Sequence, residues 1–328
     1  MSAVSLSEVT ERVAAVFVRT GCSVGNANAV ARALVAAEAD GLKGHGLSRV
    51  PTYLTMVTSG KIDGHARPTA TRPRLGVLAI DAAHGFAYPA IELAVSELPS
   101  LATAQGIAAA AISRSNHCGA AGLPCESLAR KGMVALLFAN TPSAMAPWGG
   151  HEPVFGTNPI AFAAPLEGRD PVVVDLALSK VARGPIVAAK QKGENIPEGW
   201  ALDPEGKPTT DAAAALQGTM LPLGGAKGAA LAFMVEVLAA CIPGANLAFE
   251  ASSFLDDRGG PPSTGQLLLA IDPSGFGHAQ FGERMAQLAG AIEGQHGARL
   301  SGARRLINRA RAARDGIIVP AEIETLLV

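Results

Sequence analysis

Residues 107–140 read IAAAAISRSNHCGAAGLPCESLARKGMVALLFAN. An apolar run over residues 107–113 leads into a turn of polar and small residues. A helical pattern then covers residues 120–131, and a second apolar run covers residues 133–140. Short apolar runs alternating with helical segments predict an α/β architecture, because each run is long enough for a strand and each intervening segment long enough for a helix. The same texture extends both ways. Strands are expected at residues 77–81, 160–165, 172–176 and 267–272, and helices after Pro89 and at residues 227–241 and 281–294. The Pro- and Gly-rich stretch 193–210 reads as a long excursion built from turns.

The chain opens differently. Ser5 followed by Glu8 is a capping-box pattern, and Val9, Val13, Val16 and Phe17 recur at helical spacing until Gly21. A second helix, capped by Asn26 and reaching Glu38, buries Val30, Leu34 and Val35. Residues 40–49, Asp-Gly-Leu-Lys-Gly-His-Gly-Leu-Ser-Arg, then form a polar glycine-rich turn suited to backbone bends rather than to core.

Composition narrows the function. The 328 residues carry 27 Lys and Arg against 28 Asp and Glu, a formal charge of −1, so there is no general attraction for a polyanion and nucleic acid is not an expected partner. Hydrophobic residues make up 48% and charged ones 17%, which excludes disordered and collagen-like classes. Cys22, Cys118, Cys125 and Cys241 form no CxxC pair and no disulfide framework, the usage of a reducing, cytoplasmic compartment. Glu8, Glu11, Arg12 and Arg19 interrupt the N-terminal apolar residues, unlike a signal peptide, and no run approaches the roughly 20 apolar residues of a membrane span.

The chemistry-bearing residues lie in turns. His45, between two glycines and just before Ser48 and Arg49, offers a proton donor and acceptor beside a planar fork for a carboxylate; the alternative is a histidine on an idle surface loop. His117 follows a strand and precedes a helix in Ser115-Asn116-His117-Cys118-Gly119, a setting for an anion or for an ordinary capped turn. No second Cys or His cluster completes a zinc site with His117 and Cys118, so no metal is expected, and Cys118 shows no activating partner as a nucleophile. Thr157 and Asn158 sit in a tight turn, where an Asx-turn is the simpler reading, and Asp175 closes a valine-rich strand, where it suits a ribose hydroxyl or a cap. Lys227 opens an apolar helix against its dipole, so it meets an anion or water. There is no GxGxxG fingerprint and no phosphate loop; Gly224-Gly225-Ala226-Lys227-Gly228 has the wrong spacing. A dinucleotide would need a different fold.

Together these segments resemble the malate/L-lactate dehydrogenase family of the second type, which includes ureidoglycolate and sulfolactate dehydrogenases and the Δ1-piperideine-2-carboxylate and Δ1-pyrroline-2-carboxylate reductases. The likeness runs nearly end to end. Gly44-His45-Gly46 through Arg49 and Tyr53, Ser115-Asn116-His117, Ala146-Pro147-Trp148-Gly149-Gly150, residues 156–161 (Gly-Thr-Asn-Pro-Ile-Ala), Asp175 to Ser179, and Pro197-Glu198-Gly199-Trp200 follow in the family's order.

The resemblance implies a non-Rossmann NAD(P)-binding α/β fold with a mixed sheet and flanking helices, a homodimer, and NADH or NADPH as hydride carrier. It divides the chain into an N-terminal helical region for substrate and dimerisation (1–112), an NAD(P)-binding α/β domain (113–297) and a C-terminal helical segment returning to the first (298–328). By position, His45 is the acid/base group, and Arg49, Tyr53 and His117 face the substrate. Asn116, His117, Gly119, Thr157, Asp175, Ala177, Ser179, Lys227, Gly228 and Arg304 line the cofactor.

Three positions depart from the family pattern: Gly44 stands where Ser is usual, Pro185 where an Asp orients the histidine, and Ala226 where His often precedes Lys-Gly. The resemblance therefore implies hydride transfer to C2 of a small 2-oxo acid, with a cyclic 2-imino acid as the alternative. A catalytically silent cofactor-binding homologue is the competing class.

Overall fold

The computed structural model describes residues 3–327. Its centre is a mixed seven-stranded sheet in the order β1-β2-β3-β10-β4-β5-β6. The strands are β1 (Thr69–Arg74), β2 (Val77–Asp81), β3 (Ile107–Ser115), β4 (Val134–Ala139), β5 (Ile160–Ala164), β6 (Val172–Leu176) and β10 (Thr264–Ile271). Only β2 and β3 pair in parallel; β10 lies antiparallel between β3 and β4. Period-two alternation decides what each strand buries. Thus Leu268 of β10 joins Leu78, Ile80, Ile112 and Leu137 under α4 (Ala87–Gln105) and α5 (Gly122–Ala129), while its neighbour Leu267 joins Phe138 on the opposite face under α8 (Ala226–Glu236). The helix expected at residues 227–241 is α8 followed by a wider π-type turn, Val237–Cys241.

A second body of core joins the two ends of the chain. Helices α1 (Leu6–Arg19), α2 (Val24–Ala39) and α3 (Val50–Thr58) bury Phe17, Val30, Leu34, Tyr53 and Met56 with Ala312, Ile317, Val319 and Ile323 from the last residues. Ser5 caps α1, its side chain accepting the Glu8 N–H. Asn26 does not cap α2. Ser23 does so, and Asn26 is buried in the first turn, donating to the Gly64 and Ala66 carbonyls. Between β6 and α8 lie α6 (Arg183–Lys192) and α7 (Ala212–Gln217), with β7 (Ala201–Leu202), β8 (Pro208–Thr209) and β9 (Thr219–Met220). The 193–210 excursion is therefore organised, since β7 and β8 pair within a small three-stranded sheet completed by β9. The chain closes with α9 (Phe281–Glu293), α10 (Ala303–Asp315) and α11 (Ala321–Glu324). Among the described residues, no helix is long and apolar enough to cross a membrane.

Candidate active site

The turn after α2 is more constrained than its composition suggests. Asp40 and Leu47, expected outside the core, are both buried. The Asp40 carboxylate accepts from Arg309 at 2.7 and 2.8 Å and pairs with Arg305 at 3.2 Å, which ties the end of α2 to α10. Two short 3-10 turns follow, Lys43–His45 and Leu47–Arg49. The buried Glu38 side chain accepts the Leu47 N–H at 3.0 Å, and Gly46 passes so close to Glu38 that a Cβ there would meet its carboxylate and backbone. Ser48 Oγ donates to the Lys43 carbonyl at 2.6 Å, and Arg49 Nε to the Gly44 carbonyl at 2.7 Å. These bonds hold His45 and Arg49 on one short, braced segment.

The His45 ring stacks on that of His117, with centroids 5.3 Å apart and planes 13° from parallel. Phe254 approaches His117 at 5.3 Å. Below, the Tyr53 hydroxyl lies 2.6 Å from His117 Nδ1 and 3.0 Å from the Tyr88 hydroxyl. Burial pushes the Tyr53 phenol up to about 12 and Tyr88 higher than its ordinary value, so both stay protonated. The Tyr88 hydroxyl, the Tyr53 hydroxyl and His117 Nδ1 form one hydrogen-bonded chain, which fixes the orientation of the His117 ring. Burial, with Arg49 nearby, lowers His45 to about 4, and burial, Arg49 and His45 lower His117 well below the usual imidazole range. His45 Nδ1 is buried with no protein partner. A Cβ at Gly44 would stand in open space, and Pro185 is exposed in the first turn of α6. The structure thus brings His45, Arg49, Tyr53 and His117 together and presents a neutral imidazole beside a guanidinium.

Asn116 and Gly119 continue the turn from β3. Asn116 is buried with its Nδ2 unpartnered, and Gly119, at φ +69°, would set a Cβ 2.8 Å from the Tyr88 hydroxyl. Asp175 Oδ2 accepts the Gly122 N–H at 2.7 Å, joining the start of α5 to β6. Burial raises the Asp175 carboxyl, against the Gly122 N–H bond and the Arg305 charge, which lower it. Thr157 is held by Thr141, whose Oγ1 accepts its N–H at 2.9 Å, and its carbonyl accepts the Leu178 N–H. Asn158 is not a simple Asx-turn: at φ +39° its buried amide donates to Glu236 and to the Ala232 carbonyl.

Ala177 is half-buried, and Ser179 is buried with Oγ unpartnered beside Pro222. Gly228 packs on the Leu223 backbone so tightly that no side chain fits, and Lys227 is exposed on the first turn of α8, which no side chain caps. Unpartnered buried donors, glycines against backbone and an uncapped helix start with a lysine suit a phosphate-bearing dinucleotide. Arg304 lies on the exposed face of α10, while Arg305 and Arg309 on the inner face meet Asp40 and Glu126. Among the described residues no metal-holding group of His, Cys, Asp or Glu gathers.

Several residues that shape this site carry no motif. Tyr88 lies inside a helical pattern, Glu38 ends another, and Phe254 stands in an irregular loop. Arg305 and Arg309 left a usable signal, because an i,i+4 pair shares one helix face.

The sequence profile described as malate/L-lactate dehydrogenase matches residues 4–327. The (2R)-3-sulfolactate dehydrogenase (NADP(+)) of Chromohalobacter salexigens is 50% identical over 304 residues, covering 92% of this chain and 90% of that protein. The Δ1-pyrroline-2-carboxylate reductase of Ancylobacter novellus is 41% identical, covering 97% of this chain and 94% of that one. Among solved structures, Δ1-piperideine-2-carboxylate reductase of Pseudomonas syringae superposes with a TM-score of 0.95 at 37% identity, covering 100% of this chain and 99% of the other. Sulfolactate dehydrogenase of Methanocaldococcus jannaschii gives 0.90 at 30%, covering 99% and 95%. A match of this extent, on a non-Rossmann mixed sheet, shows that the chain belongs to the malate/L-lactate dehydrogenase family.

Proposed function

We propose that this protein oxidises and reduces a 2-hydroxy acid and its 2-oxo partner, with a 3-sulfonated acid as the first substrate to test. At the level of class, it is an NAD(P)H-dependent oxidoreductase acting on a 2-hydroxy acid or an imine. The observation that carries the finer reading is His45, a neutral imidazole with an unpartnered nitrogen beside the Arg49 guanidinium. Arg49, with Nε engaged by Gly44, turns its remaining fork to the substrate carboxylate. His45 takes the proton from the C2 hydroxyl on oxidation and returns it to the C2 oxygen on reduction. Tyr53 holds His117 in one orientation against His45, so the pair forms a firm, poorly hydrated floor.

The bound nicotinamide supplies the hydride. Asn116, His117, Gly119, Thr157, Asp175, Ala177, Ser179, Lys227, Gly228 and Arg304 would hold it. The division into a substrate and dimerisation region (1–112), a cofactor-binding domain (113–297) and a C-terminal segment returning to the first (298–328) belongs to the same proposal. The 50% identity to a sulfolactate dehydrogenase supports a hydroxy acid. The imine reading is favoured by a different observation, the superposition on a Δ1-piperideine-2-carboxylate reductase, and an iminium carbon asks less of an acid than a ketone does.

The family homodimer fits the exposed Leu231, Phe233, Met234 and Val237 on and just after α8, an apolar face suited to a second copy. A reducing cytoplasm fits the free thiols of Cys22, Cys118, Cys125 and Cys241. The test is loss of reduced-nicotinamide absorbance, with NADH and with NADPH, against pyruvate, oxaloacetate, sulfopyruvate and the two cyclic imines. Turnover of oxo acids supports the proposal. Turnover of the imines alone replaces it with the reductase reading, and binding of NAD(P)H without turnover of any of them favours a silent homologue.

A further inference from the structure

Residues 252–260 form an irregular loop between α8 and β10, and it reaches the site through one ring. Phe254 is buried, belongs to none of the hydrophobic cores, and packs against His117 on Phe254's own approach from the loop. The neighbouring Leu255 and Asp257 are exposed, so little apolar burial fixes the loop elsewhere. What holds it is Lys61. This lysine follows α3, its side chain is fully buried, and Nζ donates to the carbonyls of Ser253 at 2.7 Å, Asp256 at 3.0 Å and Arg258 at 2.8 Å. An ammonium has three protons, and all three are met; the Asp256 carboxylate lies 3.8 Å away. A buried lysine is costly unless it is satisfied in this way.

We infer that Lys61 is a positioning residue for the substrate pocket: its ammonium clamps the 253–258 loop through three carbonyls and thereby holds Phe254 against His117, the ring on which His45 stacks. The same short run, from Arg49 through Tyr53 to Lys61, then supplies the carboxylate fork, the hydroxyl that orients His117 and the clamp for its aromatic neighbour. The inference rests on the reading of His45 and His117 as substrate-facing groups.

The test is a double-mutant cycle on the cofactor-bound enzyme, using the oxo acid or cyclic imine that the absorbance assay identifies as substrate, with Lys61→Met, Phe254→Ala and their combination. The readouts are KM, kcat, NADPH affinity by fluorescence, and the thermal midpoint. Lys61→Met is expected to raise KM about tenfold while kcat stays within about threefold and NADPH affinity is unchanged. Phe254→Ala alone should reproduce this split, and adding Lys61→Met to it should cause no further rise. Lys61→Gln keeps two of the three donors, so it replaces Lys61→Met in the cycle if the latter does not fold, and a smaller rise in KM is expected. Unchanged KM in Phe254→Ala, or equal losses from the lysine change with and without Phe254, would overturn the inference. Near-normal turnover of His45→Ala removes His45 from its role but leaves the Lys61–Phe254 coupling readable in KM, so the two failures are distinct.

Discussion

The imidazoles of His45 and His117 stack at 5.3 Å, 13° from parallel, with the guanidinium of Arg49 close enough to depress the proton affinity of both. Two stacked rings in an apolar setting cannot both hold a proton, and Arg49 opposes even one. The pair is therefore neutral at physiological pH. A substrate carboxylate on Arg49 cancels part of that field, so proton affinity at His45 rises when the ligand arrives.

His45→Ala removes the group that carries the C2 proton. Turnover is expected to fall by about 10²-fold or more, with NAD(P)H affinity preserved, as for loss of a general acid or base. Steady-state rates with a fluorescence titration of the cofactor check this; near-normal turnover would show that the proton leaves by another route.

The low proton affinity of His45 also sets a pH dependence. With a value of about 4 in the free protein, His45 is already a base at neutral pH, so kcat/KM for hydroxy-acid oxidation should stay level from pH 8 to about 5. Reduction needs the protonated form, and its kcat/KM should rise about tenfold per unit of acidification across that interval. Stability runs the opposite way from reduction. The native value lies below the unfolded one, so stability from neutral His45 is complete above about 6.5 and is lost as pH falls towards 4. Thermal midpoints of wild type and His45→Asn between pH 7 and 5 should show a smaller acid loss in the variant.

Arg49→Lys keeps the charge but loses the fork. Because Nε is spent on the Gly44 carbonyl, the terminal nitrogens are what the guanidinium has for a ligand, and a lysine replaces neither that brace nor the paired donors. KM for the acid should rise about tenfold or more with a smaller change in kcat. An unchanged KM would place the carboxylate elsewhere.

The short apolar run at 267–272 made β10 legible as a strand, but nothing local says that it inserts between β3 and β4, because that pairing is settled by the packing of distant segments. Ser23 and Asn26 are both good caps, and composition alone does not choose between them; the structure uses the serine and buries the asparagine. His45 and His117 were visible as polar residues in glycine-rich turns, whereas their stacking depends on distant segments meeting, with α3 bringing the Tyr53 hydroxyl to His117. Neighbouring arginines 304 and 305 look alike in sequence until the packed face of α10 is known. Lys61 and Phe254 gave no signal, since a tether to backbone carbonyls requires no partner side chain.

Gly46→Ala tests the bracing of the His45 turn. Its Cβ would meet both the carboxylate and the backbone of Glu38, so α2 and the turn must separate. A cost of about 1–3 kcal/mol is expected, as for overpacking elsewhere, together with a loss of turnover larger than the loss of NAD(P)H affinity. Gly44→Ala is the control, because its Cβ enters open space. Urea unfolding and steady-state kinetics on both variants read the contrast, and equal behaviour would mean that the Glu38 contact does not hold the turn.

Arg305 tests the joint that fastens α10 to the turn and to α5. It pairs with Glu126 at 2.7 Å and Asp40 at 3.2 Å, while Arg309 bonds both carboxylates. Burial works against the Glu126 charge, but bonds from Arg309 and Arg130 and the field of Arg305 prevail and hold its carboxyl at about 2. A native value below the unfolded one adds stability that is complete above the usual carboxylate range and is lost as pH falls from about 4.5 towards 2. Arg305→Met removes one cation from two buried carboxylates and leaves Arg309 to serve both. The expected cost is about 3 kcal/mol at pH 7, the lower end for breaking a buried pair, because Arg309 and Arg130 remain. The acid-unfolding midpoint should also move up, since Glu126 then protonates at higher pH. Urea unfolding at pH 7 and an acid titration followed by circular dichroism measure the two effects. A variant that loses stability at pH 7 without any shift in the acid midpoint would show that Arg305 acts through packing rather than through the charge on Glu126.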